Sequence, residues 1–146
     1  MSQHSGHPLF EFEESQTAVI NPPMRRKVDN FPELAVACWF GDVQRKRFAG
    51  QEPIYRIPFE HGDHEVHVVE HLGKRIAVFN PGVGAPAAAT SLEDIIGLGA
   101  TKIIGCGGAG IVKQGFDVGH IIVPTGAVRD EGTSHHYQPV EVAVVP

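Results

Sequence analysis

The sequence lacks any hydrophobic stretch long enough to cross a membrane. Its longest apolar runs, such as Leu34 to Phe40, fall far short of the roughly 20 residues a helical span needs. The start, Met-Ser-Gln-His-Ser-Gly-His-Pro, has no basic segment followed by an apolar one, so no secretory leader is visible. Cysteine is scarce, with 2 in 146 residues, which excludes a disulfide scaffold. Both Cys38 and Cys106 lie in apolar, strand-like stretches and read as buried thiols in a reducing compartment. No block of like charge occurs. Lys and Arg total 12 against 17 Asp and Glu, for a net charge of -5, which argues against general nucleic-acid binding. Internal repeats and low-complexity tracts are also missing. The expectation is a cytoplasmic protein with no nucleic-acid partner and no membrane partner.

What is present is a chain of single-domain length, 42% hydrophobic, with 17 Gly and 11 Pro. Residues 1–30 are polar, acidic around Glu11 to Glu14 and basic at Arg25 to Lys27, and Pro22-Pro23 opposes a helix. They read as an N-terminal arm, with the domain proper over 31–146. Leu34 to Phe40 is a continuous apolar run ending in Gly41-Asp42, which suits a strand buried on both faces. Ile54 to Phe59, Glu65 to Glu70 and Lys74 to Asn80 are short strand-like runs separated by Gly62-Asp63 and Leu72-Gly73, a meander of hairpins.

Ala88, Leu92, Ile95, Ile96 and Gly99 recur at helical spacing after Pro86, which suits a first helical turn. Thr101 to Cys106 reads as the next buried strand, and His120 to Pro124 as another that Ala127-Val128 extends. Strand, glycine turn, helix, strand is a βαβ unit. The fold class expected is α/β, with a mixed, partly parallel central sheet and flanking helices. Only one convincing helix follows Phe31, and the apolar end at Glu141 to Pro146 is not followed by another. A sheet of this kind needs both faces covered. The chain therefore reads as part of something larger, incomplete at its C-terminus.

The strongest local feature is Gly82-Val83-Gly84-Ala-Pro-Ala87, between a strand and a helix. Glycines there let main-chain N–H groups approach an anion, and the helix dipole favours negative charge. By letter it also matches a dinucleotide turn, but the next strand ends in Gly105-Cys106-Gly107 without the acidic residue that would hold a ribose. A plain tight turn stays open as the third reading. A second glycine cluster, Gly105 to Gly110, and a third turn, Gly41 to Arg45, also follow strands. Three such turns on one sheet edge, with Arg45 beside them, describe a small anion-binding crevice.

The histidines His61, His64, His67 and His71 have no cysteine among them and no helical metal motif, so they read as polar hairpin surface and no metal is expected. Ser134-His135-His136 lacks a nucleophile elbow, and Cys106 follows Ile103-Ile104 as an inert thiol. Arg129 to Ser134 is too polar for a buried strand and reads as a loop near the ligand edge.

Gly82-Val-Gly-Ala-Pro86, Gly107-Gly-Ala-Gly110, Asp117-Val-Gly119 and Ala127 to Ser134, in that order, resemble the nucleoside phosphorylase family, most closely its uridine phosphorylase-like branch. The resemblance runs from about Phe31 to Pro139. It implies a phosphorylase/hydrolase-like fold, of which 31–146 would be the N-terminal part. It also implies a cytoplasmic homo-oligomer of nucleoside salvage, built from dimers into trimers or hexamers. The implied reaction cleaves the N-glycosidic bond of a nucleoside with inorganic phosphate as co-substrate and no cofactor, giving free base and (deoxy)ribose 1-phosphate.

Residue by residue, the resemblance assigns Gly41, Arg45, Gly107, Gly108 and Ala109 to phosphate and Gly82, Val83 and Gly84 to the ribose. Arg129, Glu131 and Thr133 become active-site loop candidates. Val43 stands where a proline is usual, Gly108 where a small hydroxyl residue is usual, and Gly105 where many members carry arginine. The family's base-recognition residues and its Met-Glu ribose pair lie beyond this chain, so its catalytic residues are expected there and the chain alone is expected to be inactive. A nucleosidase that uses water and a non-catalytic binding or assembly module are the alternatives.

Overall fold

A computed structural model of the chain describes residues 28–139, residues 143–144, and residues 12, 15, 17 and 19. Most of the expected N-terminal arm lies outside the described residues. Contacts divide the chain into two compact units, one over Thr17–Gly108 and one that includes Ala109 onward.

The first unit is built on five strands. These are β1 (Leu34–Cys38), β2 (Tyr55–Ile57), β3 (His64–His71), β4 (Lys74–Phe79) and β5 (Lys102–Cys106), in the spatial order β2-β3-β4-β1-β5. The apolar run of β1 occupies an interior position, flanked by β4 and β5, both parallel to it. A strand with parallel neighbours on both sides and packing on both faces needs unbroken hydrophobic sequence, as β1 has. β2, β3 and β4 form the expected antiparallel meander. The sheet is thus mixed and partly parallel.

Two helices accompany it. Helix α2 (Ala85–Leu98) starts at Gly84, carries Pro86 in its first turn, and ends at Gly99, whose φ of 125° a side chain would oppose. Ile95 is its fully buried anchor and meets Ala35, Ala37, Ala77 and Phe79 in the core. Alanines on the strands leave room for that contact. Helix α1 (Gly41–Arg47) is a departure from the sequence expectation, which read these residues as a turn. It buries none of its residues, so no apolar periodicity marks it. Asp42 in its first turn and Arg45, Lys46 and Arg47 in its last complement the helix dipole instead.

The second unit pairs β6 (Ala127–Val128) with β7 (Ala143–Val144) and carries a 3-10 turn at Thr133–His136. The strand expected at His120 to Pro124 does not form; these residues are irregular. Ile121 and Val123 are 93% and 82% exposed. An apolar run becomes a strand only where a neighbour completes its ladder, and none among the described residues does so. No helix among the described residues is long and apolar enough to cross a membrane.

The β3–β4 hairpin turns on two residues, Leu72 and Gly73, with φ of 50° and 71°. Two positive φ values in a two-residue loop are the type I′ signature, which favours Asn-Gly. Leu72 pays the left-handed penalty while 87% exposed, with no packing to compensate. Leu72→Asn is therefore expected to raise stability by about 1 kcal/mol. Urea denaturation of the two proteins checks this, and an unchanged or lower midpoint would count against the turn assignment.

Candidate functional site

Because β4, β1 and β5 are parallel neighbours, their carboxyl ends share one sheet edge. Gly41 follows β1, Gly82, Val83 and Gly84 follow β4, and Gly107 and Gly108 follow β5. The three glycine-bearing segments expected on one edge are therefore on one edge. Ala109, Arg129, Glu131 and Thr133 fall in the other unit.

One side chain that no sequence motif marks, Trp39, organises this edge. The main-chain N–H of Trp39 donates to Cys106 O at 2.9 Å, and its indole Nε1–H donates to Gly82 O at 2.6 Å. A Cβ added at Gly105 or Gly107 would lie 3.4 or 3.3 Å from the Trp39 side chain. Trp39 thus links the end of β1 to the turns after both neighbouring strands. It also occupies the space beside Gly105 where a larger residue would need room.

Asn80 is the second unforeseen organiser. Its Oδ1 accepts from Gly82 N–H at 2.9 Å, an arrangement that asparagine favours in turns. Its carbonyl lies 3.0 Å from His64 Nδ1. Gly82 itself adopts φ 82°, and a Cβ there would lie 3.0 Å from the Ala87 Cβ and 3.3 Å from the His64 ring, so only glycine fits this bend. At Gly84 the N-cap of α2 provides no side-chain hydrogen bond, so the first-turn amides of α2 carry no such cap. Val83 is 92% exposed at the apex between the two glycines.

Beside these turns lies a cleft of about 690 Å³, lined among others by Gly41, Arg45, Arg56, His64, Glu65, His67 and Asn80. Arg45 pairs with Asp42 on its own helix, and both side chains are well exposed. Such a pair contributes about 0–1 kcal/mol, so an anion can compete for Arg45 at small cost. Also lining the cleft, Glu65 accepts from His67 Nε2 at 3.1 Å and from Arg56 at 2.5 Å. His67 is buried and stacks on Phe48 with ring centroids 4.4 Å apart, so it is not the hairpin surface that the sequence suggested. The hydrogen bond from His67, aided by Arg56, holds the Glu65 carboxyl below its ordinary value of 4.5 against the opposing effect of burial. Cys38 and Cys106 are free thiols at paired register positions, and burial pushes the Cys106 thiol up from its ordinary 9.0, which suits an inert sulfur.

In the second unit, Arg129 donates to Ser134 Oγ at 2.9 Å, Pro139 O at 2.5 Å and Gln138 O at 3.0 Å. Glu131 accepts from Thr133 N–H at 2.8 Å and from Ser134 N–H at 3.1 Å. These contacts make Arg129 and Glu131 the internal ties of their own loop.

Comparison with known proteins matches residues 34–146 to the phosphorylase superfamily. The chain belongs to that family. Within it, the relatives are those of the uridine phosphorylase-like nucleoside phosphorylases. The uridine phosphorylase of Thermococcus kodakarensis is 31% identical over 133 residues, covering 83% of this chain and 48% of that protein. The uridine phosphorylase of Treponema pallidum is 39% identical over 71 residues, or 49% of this chain and 28% of that one. The guanosine phosphorylase of Halorubrum lacusprofundi is 35% identical over 74 residues, or 51% and 31%. The chain thus spans about half the length, or less, of these curated relatives. Its mixed five-stranded sheet agrees with the α/β fold that the family resemblance implied.

The lowered Glu65 pKa fixes the sign of a pH effect in this phosphorylase-family unit. Glu65 adds stability above its unfolded pKa, and that contribution is lost as pH falls through the lower folded value. Glu65→Gln is expected to flatten this part of the acid limb when thermal midpoints are compared from about pH 6 to about pH 3. An acid limb of unchanged steepness would show that the His67 and Arg56 contacts do not hold the carboxylate in solution.

Proposed function

We propose that this protein is a nucleoside phosphorylase of the uridine phosphorylase-like type, cleaving a nucleoside with inorganic phosphate. The observation that carries the reading is the shared sheet edge, where Trp39 ties the turns after β1, β4 and β5 beside the Arg45 cleft. The uridine phosphorylase names of the relatives support the reaction class. Gly41, Arg45, Gly107 and Gly108 are assigned to phosphate, and Gly82, Val83 and Gly84 to the ribose. Neither a metal nor an organic cofactor is needed, and the working form is a homo-oligomer.

The chemistry asks for positioning more than for acid–base work. A phosphate oxygen forms a bond to C1′ of the sugar while the C1′–N bond breaks, and the electron pair leaves with the base, which takes up a proton. The sugar passes through an oxocarbenium-like state. Fixed N–H donors and the Arg45 guanidinium hold the dianion in line, and preorganisation of this kind lowers the barrier without moving atoms during the reaction. First-turn amides of α2 without a side-chain cap suit an anion at the Gly82–Gly84 bend.

Gly105 and Gly108 favour a second reading, a nucleosidase with water as the nucleophile. Neither residue supplies a hydroxyl or a guanidinium, and the Trp39 ring lies against Gly105.

Purified protein incubated with uridine, and with other nucleosides, in the presence and absence of phosphate distinguishes these outcomes. Release of free base that needs phosphate supports phosphorolysis, and equal release without it supports the nucleosidase. Binding without turnover supports a binding or assembly module. The single tryptophan, Trp39, gives an optical signal on the same edge. Arg45→Ala is expected to raise the phosphate dissociation constant read from its emission by roughly tenfold to a hundredfold, the size of one charged hydrogen bond. An unaltered phosphate titration would remove Arg45 from the site.

A further inference from the structure

Where β3 begins, two imidazoles are held together by contacts for which phosphorolysis gives no role. His61 Nε2 and His64 Nε2 face each other at 3.3 Å. Phe59 lies against both rings, with centroids 5.5 Å from His61 and 4.4 Å from His64. Gly62, at φ 117°, donates its N–H to Phe59 O at 3.1 Å and closes the bend that returns His61 toward His64.

The tautomer of His64 follows from its other nitrogen. Nδ1 lies 3.0 Å from Asn80 O, and a carbonyl oxygen only accepts, so Nδ1 carries the hydrogen. In the neutral ring, Nε2 then presents a lone pair on the side where His61 Nε2 sits. Metal-ligating histidines generally have this second contact, an N–H to a carbonyl that fixes the ring and raises its basicity. The spacing also fits. Two nitrogens each about 2.0–2.1 Å from a tetrahedral ion lie about 3.3–3.4 Å apart.

We infer that His61 and His64 form a two-imidazole site for a borderline divalent ion of the Zn²⁺ or Ni²⁺ type. No group of three or more His, Cys, Asp or Glu is gathered for a metal among the described residues, so water completes the coordination. Positions held by water are open to an oxygen ligand. His64 also lines the cleft with Gly41 and Arg45, so the ion adds positive charge where an oxyanion would enter. Metal uptake here is independent of phosphorolysis, and the two are read by separate assays.

The test uses the full chain and Zn²⁺ alone, in phosphate-free buffer, followed by calorimetry and by the ring ¹⁵N signals of the histidines. The His61 and His64 signals are expected to move together, with uptake lost in acid because both ligands must be deprotonated. His61→Gln and His64→Gln are each expected to weaken this uptake by about tenfold or more, since either change leaves one imidazole to hold the ion. His71→Gln and the double variant His4→Gln/His7→Gln are expected to retain it. His61 is exposed, so its variant tests the site even if His64→Gln disturbs the Asn80 turn. Absence of a joint shift, or equal uptake by the wild type and His61→Gln, would overturn the assignment.

Discussion

The candidate site depends on one residue placed just beyond the end of an interior strand. Trp39 follows β1, and β1 alone has β4 on one side and β5 on the other. A side chain at that position can reach the turns of both neighbours. Indole is large enough to do so and has a single N–H to spend, which goes to Gly82 O. The main-chain N–H goes to Cys106 O. The glycines at 105 and 107 border the same ring, and a Cβ at either would meet the Trp39 side chain at 3.4 or 3.3 Å. What reads in the sequence as a phosphate-type glycine cluster is therefore also the bed of an aromatic ring.

That double use explains which parts of the molecule were legible in advance. β1, the hairpin meander and α2 were readable because their signals are local: an unbroken apolar run, paired turn residues, and apolar spacing opened by Pro86. Helix α1 leaves no apolar pattern because it buries nothing, and charge order is its only mark. His120 to Pro124 departs from its sequence pattern for the opposite reason. Its composition suits a strand, but the ladder that makes one belongs to a neighbour that composition cannot supply. At the site, the glycine turns were visible, while Trp39, Asn80 and His64 were not. The Trp39–Gly82 bond spans 43 residues, and the His64–Asn80 contact spans 16. No local pattern encodes contacts at such separations.

Electrostatics in the cleft divide into fixed and labile parts. Arg56 is committed to Glu65, which also holds buried His67, so these groups form a matched network with little charge to spare. Arg45 differs. Its partner Asp42 is on the same short helix and equally exposed to water, so the pairing is shallow. An incoming anion would draw on Arg45 and on main-chain amides while leaving the Arg56–Glu65–His67 network intact.

The contrast between a multiply paired network and a loosely paired cation bears on how such a fold could serve phosphate or water. Phosphate carries its own negative charge to the sugar and needs donors that outbid its hydration, so each guanidinium or hydroxyl near the crevice favours it. Water needs no such donors but must be deprotonated as it attacks, which requires a base. Gly105 and Gly108 offer no side-chain donor to either nucleophile. Glu65, on the exposed side of β3, is held as a carboxylate by His67 and Arg56 and is thereby made a weaker base. The same contacts that keep Glu65 charged thus reduce its ability to activate water. Neither Gly105 nor Gly108 lines the Arg45 cleft, where the guanidinium groups are those of Arg45 and Arg56, and of these Arg45 has the shallower pairing.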